Sequence, residues 1–355
     1  VDQALAEAAL DAGHAWAPDH NRPGALGVSP YAINSLDGRR VSANDAYLEP
    51  ARGRNNLAIF GDAQVDKVLF DGDRAVGLRV GDRDGVRNLG GGTILLCAGA
   101  VHSPAILLRS GIGPEAHLAD IGVHTRANLP VGDSFQDHPV LFLPIALKPF
   151  AAPREGFRHT NLCVRYSSGL GGAGPGDMML VAMNGLGDSL GRHVADLNAA
   201  TGLLGVWVNQ CWSRGAVRLA SPDPADEPII EENMLDDPSD ALRLRDGFRR
   251  LIEMAEGPAV RAIGELKRPP VDISDDAAFD AWAAASAGDT QHATSTCRMG
   301  LEDDPRAVVD PDCRVHGLQA LRVIDASVLP FVPRANTHLT TVMIAEAMAE
   351  RLLAE

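Results

Sequence analysis

The stretch QHATSTCRMG, Gln291 to Gly300, sets a histidine five positions ahead of a cysteine and six ahead of an arginine. Three chemistries use such residues. An imidazole can ligate a metal, a histidine beside a thiol can activate a nucleophile, and a neutral imidazole can take a proton from a bound substrate as general base. His316 and His338 fit no compact zinc pattern with His292, which argues against a metal centre. A Cys297 nucleophile needs a base aimed at it and an acidified thiol, and spacing fixes neither. The plainer alternative to a general base is a structural histidine at a turn.

The elements that must carry this stretch can be read on either side of it. The segment GGGTILLCAGAVHSPAILLRSGIG predicts a buried strand from Thr93 to Ala98, a tight turn at Gly99, and a helix with Ser103 as N-cap, Pro104 at its first position and Gly111 past its end. In open α/β sheets ligands sit over the carboxyl ends of strands, so Ala98 and Gly99 are candidate cofactor contacts. Upstream, VDQALAEAALDAG predicts a helix stopped by Gly13, and Asp71-Gly72-Asp73 predicts a hairpin between two extended runs. From Val140 the runs VLFLPIALKP, TNLCVRYSS, DMMLVAMNG and GLLGVWVNQCW predict a mostly antiparallel sheet, followed by a helix across DPSDALRLRDGFRRLIEMAEG. Gly169 to Gly174 satisfies GxGxxG, but Pro175, Gly176 and Asp177 stand where a helix should open, so a loop is expected.

Bulk properties narrow the function classes. The 355 residues, 45% of them apolar, suffice for one large or two ordinary domains. A formal charge of -15 leaves no excess of Lys and Arg to replace counterions along a nucleic acid. Five scattered cysteines without a CxxC pair fit reduced thiols, and the expected compartment is cytoplasmic. No apolar run reaches the roughly 18 residues that span a bilayer. The chain opens on Val1 directly into a helical pattern, which reads as a fragment.

Taken together, these segments resemble the glucose-methanol-choline (GMC) oxidoreductases, flavoenzymes that pass hydride from an alcohol to FAD. Gly99 to Pro104 and on to Gly113 fits a signature of that family, and VGDSFQDHP (Val131 to Pro139) and SRGAVRLASPDP (Ser213 to Pro224) look like further segments of it. HATSTCRMG, VVDPDCRVHGLQALRVIDASVLP and NTHLTTVMIAEAMAERL follow in the family's order. The resemblance implies a two-domain α/β (α+β) fold: a partial FAD-binding Rossmann-like domain over 1–139, a substrate-binding domain over 140–288, and a return to the FAD domain over 289–355. It implies His292 as general base and Asn336, 44 positions later, as the group that orients the hydroxyl. Backbone of Asp325 and Ala326 would lie near the phosphate-ribityl part of FAD, His338 and Thr340 near the ring, and Val65 against the adenine. The terminal helix, with Leu339, Val342, Met343, Ala347 and Leu352 on one face, would turn its positive end to the ring. Cys297 becomes a packing residue.

Two departures from the pattern carry consequences. Ser295-Thr296 stands where the family usually has Gly-Thr. The family's N-terminal βαβ unit with its GxGxxG turn is missing, so this chain alone is expected to bind FAD weakly or not at all. A noncatalytic flavoprotein scaffold, or lyase chemistry on the same fold, are the competing classes. The paucity of aromatic residues favours a neutral alcohol over choline as the small-molecule substrate, with Trp207 and Trp212 as possible pocket walls.

Overall fold

A computed structural model of the chain describes residues 1–154, 158–185 and 200–355. In chain order its principal elements are α1 (Asp2–Asp11), β1 (Gly27–Pro30), β2 (Gln64–Asp71), β3 (Arg74–Asp82), β4 (Gly85–Gly90), β5 (Ile94–Leu96) and α2 (Gly99–Arg109). There follow β6 (Val140–Leu147), β7 (Leu162–Tyr166), β8 (Met178–Met183), β9 (Thr201–Val208), α3 (Pro238–Ala255), β10 (Gly264–Leu266), α4 (Asp276–Ser286), β11 (Leu321–Val323) and α5 (Thr337–Ala354).

A six-stranded antiparallel sheet, in the order β1-β7-β8-β9-β6-β10, forms the larger layer. Because side chains alternate across a strand, each strand serves two faces. One face carries Leu141, Leu143, Val164, Leu180, Leu204 and Val206, packed with Leu5 of α1 and with Leu244, Phe248 and Leu251 of α3. Each such side chain taken out of water contributes about 1.5–3 kcal/mol before conformational entropy is counted. The other face carries Val140, Cys163, Met179, Val181 and Trp207, with Tyr31 and Phe142 against them. The apolar spacing read in α3 is seen, except that Leu242 is 36% exposed. Asp237 caps α3 by accepting from the Ser239 N–H. The first 139 residues divide between both cores, since α1 and β1 pack with this sheet.

The second core forms around two parallel strands, β5 and β11, paired Ile94 to Leu321 and Leu96 to Val323. Ile106, Leu107 and Leu108 of α2 pack on them, together with Cys297 and Val309. The β2-β3-β4 meander lies beside this pair, its first turn at Gly72 with φ +53°, as the Asp-Gly pattern predicts.

Two expectations need correction here. The strand is shorter than Thr93 to Ala98, and α2 begins at Gly99 instead of after Ser103, so Pro104 lies inside the helix. Ser103 is not a cap of the predicted kind; its hydroxyl accepts from the Ala98 N–H and donates to Asp325. Pro104 has no N–H for the Ala100 carbonyl one turn back, and the Thr296 hydroxyl donates to that carbonyl instead, at 2.7 Å. In α5, Leu339 and Met343 are 59% and 57% exposed, and the helix packs through Ile344, Met348 and Leu352. The GxGxxG stretch is a loop, with Gly169, Gly171 and Gly172 all at positive φ.

Candidate functional site

His292 and Asn336, which the sequence separates by 44 positions, meet in the fold. The Asn336 Nδ2 amide donates to Nε2 of His292 at 3.2 Å. His292 is 9% exposed, and burial pushes its pKa down to about 4. It is therefore a neutral imidazole at physiological pH, the form a general base requires. Asn336 stands at the N-cap of α5 without capping it by its side chain, and its Oδ1 is buried with no hydrogen-bond partner.

The short run Gln136-Asp137-His138 holds both residues in place. Gln136 forms an antiparallel bridge with Thr294, its side-chain amide donates to the carbonyls of Cys211 and Ser213, and its Oε1 accepts from the Val332 N–H. One residue thus joins, by its backbone, the loop carrying His292 and, by its side chain, the segment after β9 and the segment entering Asn336. Asp137 accepts from the backbone N–H of His292 at 2.7 Å, from that of His138 at 2.6 Å, and from the Thr290 hydroxyl at 3.0 Å. Burial raises its carboxyl to about 6, against the pull of those donors, so it is ionised at neutral pH. His138 is fully buried, its ring parallel to Trp207 with centroids 6.5 Å apart. Its Nδ1 lies 2.9 Å from Nδ1 of His292 and its Nε2 3.0 Å from the Pro333 carbonyl. Gly132 starts this run at φ +82°, where a Cβ would meet the Val217 carbonyl at 2.2 Å.

Spacing left two other readings of His292 open, and the geometry speaks to both. Asp137, His138 and His292 bring ligating atoms within 4.8 Å, yet the Asp137 oxygens are committed to the four N–H and O–H groups of His138, Thr290 and His292. The His138–His292 contact has hydrogen-bond length. The cluster is a hydrogen-bonded network by the chemistry of its donors. Cys297 is fully buried among Ile94, Leu107 and Val309, and burial holds its thiol well above the ordinary range, so it packs and does not attack.

The wall facing His292 comes from the second face of the large sheet. Trp207 stands edge to face with His292, centroids 6.2 Å apart, and Met179 lies opposite it across the β8-β9 register. The Tyr31 hydroxyl donates to Met179 Sδ at 3.5 Å, and burial raises its pKa well above the ordinary value. Trp212 is held elsewhere, its N–H on Asp240 beside buried Arg243. Sequence reasoning singled out Trp207 but missed Tyr31 and gave Asp137, His138 and Thr290 no role. The QDH run was visible as a motif, although nothing in its spacing tied it to residue 292.

The remaining expected residues lie on the second core. The carboxyl ends of β5 and β11 bring together Ala98, Gly99, Asp325 and Ala326. The Asp325 carboxylate accepts from the Gly99 N–H at 2.9 Å and from the hydroxyls of Ser103 and Ser327, both at 2.5 Å. It shapes this turn, in which the Ala98 N–H is taken by Ser103. Ala98 is exposed, and a Cβ placed on Gly99, at φ +79°, would meet nothing within 4 Å. The open cradle suits the ribityl-phosphate part of a flavin nucleotide. Ala326 connects it to the loop carrying His292, its carbonyl accepting from Ser295 N–H at 3.4 Å. His338 and Thr340 occupy the first turns of α5 beyond Asn336. Val65 stands apart in β2, its carbonyl accepting from Arg109. No helix among the described residues is long and apolar enough to cross a membrane.

Comparison with known proteins gives this arrangement its family. Models of the N-terminal and C-terminal parts of GMC oxidoreductases match residues 1–140 and 212–345. A 5-(hydroxymethyl)furfural oxidase of Methylovorus sp. is 34% identical over 374 residues, covering 99% of this chain and 67% of that protein. An oxygen-dependent choline dehydrogenase of Photobacterium profundum is 31% identical over 386 residues, covering 99% of this chain and 66% of that protein. The crystal structure of a pyridoxine 4-oxidase from Mesorbium loti superposes with a TM-score of 0.91 at 30% identity, over 100% of this chain and 70% of that one. The chain thus spans about two thirds of the curated relatives it matches. With both family parts matched around a buried histidine and its asparagine, the chain belongs to the GMC oxidoreductases, FAD-dependent enzymes.

Proposed function

We propose that this chain carries the catalytic half-site of an FAD-dependent alcohol oxidation, taking a neutral alcohol to its aldehyde or ketone. The observation that carries it is the contact of Asn336 Nδ2 with a neutral, buried His292 Nε2. FAD, when bound, supplies the hydride acceptor; Ala98, Gly99, Asp325 and Ala326 would hold it through backbone, with His338 and Thr340 beside it and Val65 as the more remote contact. The alcohol hydroxyl gives its proton to His292 Nε2, which puts negative charge on the substrate oxygen and makes hydride departure easier. The alcohol hydroxyl replaces the Asn336 amide at Nε2, and that amide then donates to the substrate oxygen; it cannot take the proton itself. Trp207, Met179 and Val181, with Tyr31 against them, back the site with apolar groups that keep water from it. Such a wall accommodates an uncharged alcohol, and the relatives include both a 5-(hydroxymethyl)furfural oxidase and choline dehydrogenases.

Replacing the base tests the reading. His292→Ala, assayed with FAD in excess, is expected to lower the rate of alcohol-dependent flavin bleaching by about 10²–10⁴-fold relative to the parent chain under the same conditions. A rate equal to that of the parent protein would remove His292 from the mechanism.

A further inference from the structure

We propose that His138 is a positioning residue that sets the tautomer of His292, holding the proton on Nδ1 so that Nε2 meets the substrate bare. The assignment runs inward from the Pro333 carbonyl. A carbonyl oxygen only accepts, so His138 Nε2, 3.0 Å away, carries the hydrogen. A neutral imidazole has one N–H, which leaves His138 Nδ1 as a lone pair. That lone pair is 2.9 Å from His292 Nδ1, a contact that is a hydrogen bond only if His292 Nδ1 holds the hydrogen. The Nε2 of His292 is then unprotonated.

Two further contacts agree with this assignment, the Nδ1–H of His292 being shared between His138 and Thr290. The Thr290 hydroxyl donates to the Asp137 carboxylate at 3.0 Å, so its oxygen turns a lone pair to His292 Nδ1 at 2.7 Å. On the other side of the ring, the Asn336 amide donates to Nε2 at 3.2 Å, which requires Nε2 to accept. The opposite tautomers would set a bare His138 Nε2 against the Pro333 oxygen and an Nε2–H of His292 against the Asn336 N–H. Asp137 keeps the two rings at this distance by accepting from both backbone N–H groups. Burial lowers the His138 pKa to about 3, keeping this ring neutral too. His138 has no exposed surface and touches no substrate, so it acts through His292.

The catalytic meaning of this relay rests on His292 being the base, whereas the proton positions are a property of the chain by itself. The test is two-bond 1H–15N correlation NMR at neutral pH on the full chain labelled with 15N-histidine, with His292 assigned by its loss in His292→Gln. The expected spectrum shows Nδ1 of His292 and Nε2 of His138 as the protonated nitrogens; a proton on Nε2 of His292 overturns the relay. His138→Gln keeps an amide able to reach Pro333 but offers no acceptor at the Nδ1 position, whereas His138→Asn places one there. Accordingly, His138→Gln should scramble the His292 tautomer and lower kcat measured with FAD in excess about 10–100-fold with little change in KM, and His138→Asn should recover the Nδ1–H pattern and most of kcat. Equal kcat in the two variants, with the His292 signals unmoved, overturns the proposal. The predicted tautomer in a protein that oxidises no alcohol would instead overturn only the reading of the function.

Discussion

At the residue scale, acidity offers a direct check. His292 has a folded pKa of about 4 against an ordinary 6.5, so the neutral base persists well into acid. The acid limb of the flavin reduction rate is therefore expected near pH 4; a limb near 6.5 would show a solvated imidazole in the working enzyme. The same shift has a stability consequence of definite sign. Between pH 6.5 and 4 the unfolded chain binds a proton at this position that the folded chain does not, so stability falls on acidification by up to about 1.4 kcal/mol per pH unit for the one group. His138, lowered to about 3, adds in the same direction, while Asp137, raised to about 6, opposes it between 3.8 and 6. His292→Gln should flatten the slope of Tm against pH over this window relative to the parent chain. Of these residues, His292 and Asn336 were legible in the sequence because a family pattern lies along the chain. Their neighbours were not, because a tautomer depends on which atoms face each other across 154 positions.

At the element scale, the start of α2 shows a compensation that no local rule foresees. Ser-Pro reads as a cap followed by a first helical residue, and the local preference is sound. It lost to the strand crossover: Gly99 turns at positive φ directly off β5, and the Asp325 carboxylate from β11 accepts its N–H, so the helix begins early. The proline then leaves the Ala100 carbonyl without a helix donor, and Thr296, from the His292 loop, fills the gap. Thr296→Val preserves shape and removes that donor, so it is expected to cost about 1–3 kcal/mol, while Thr296→Ser stays close to the parent. Chemical denaturation of the two variants measures the difference; equal midpoints would mean that the hydroxyl contributes nothing. Ser295 alongside sits at φ +72° where the family pattern usually has glycine, so the loop backbone keeps a left-handed residue at this place without it.

At the scale of the molecule, the two cores differ in closure. The large sheet is covered by α1 and α3 on one face, and β8 and β9 are buried nearly throughout. The parallel pair has two strands only, Leu95 is 43% exposed at its side, and α5 leaves Leu339, Met343 and Leu353 in the open. The GxGxxG stretch is a loop on the other core, and at the Gly99 turn into α2 the N–H groups of Ala98 and Gly99 are already taken by Ser103 and Asp325. The purified 355-residue chain is accordingly expected to lose FAD on gel filtration and to enhance the fluorescence of an apolar dye. A retained, stoichiometric flavin spectrum would show that the cradle at Gly99 and Asp325 holds the cofactor unaided.

What the sequence determined by itself is what lies along the chain: strand alternation from Val140 onward, the helix of α3, the hairpin at Gly72, the shortage of positive charge, and an ordered set of motifs sufficient for the family. Each depends on neighbours a few positions apart or on composition, where periodicity and turn chemistry act directly. Only the tertiary structure decided that α1 and β1 belong with the large sheet, that Cys297 packs in the second core, and that His138, Thr290 and Asn336 meet the His292 ring, with Asp137 on its backbone and Pro333 behind His138. Hydrogen-bond direction and proton position follow from distances of about 3 Å between groups far apart in the chain, and such distances exist only once the chain has folded.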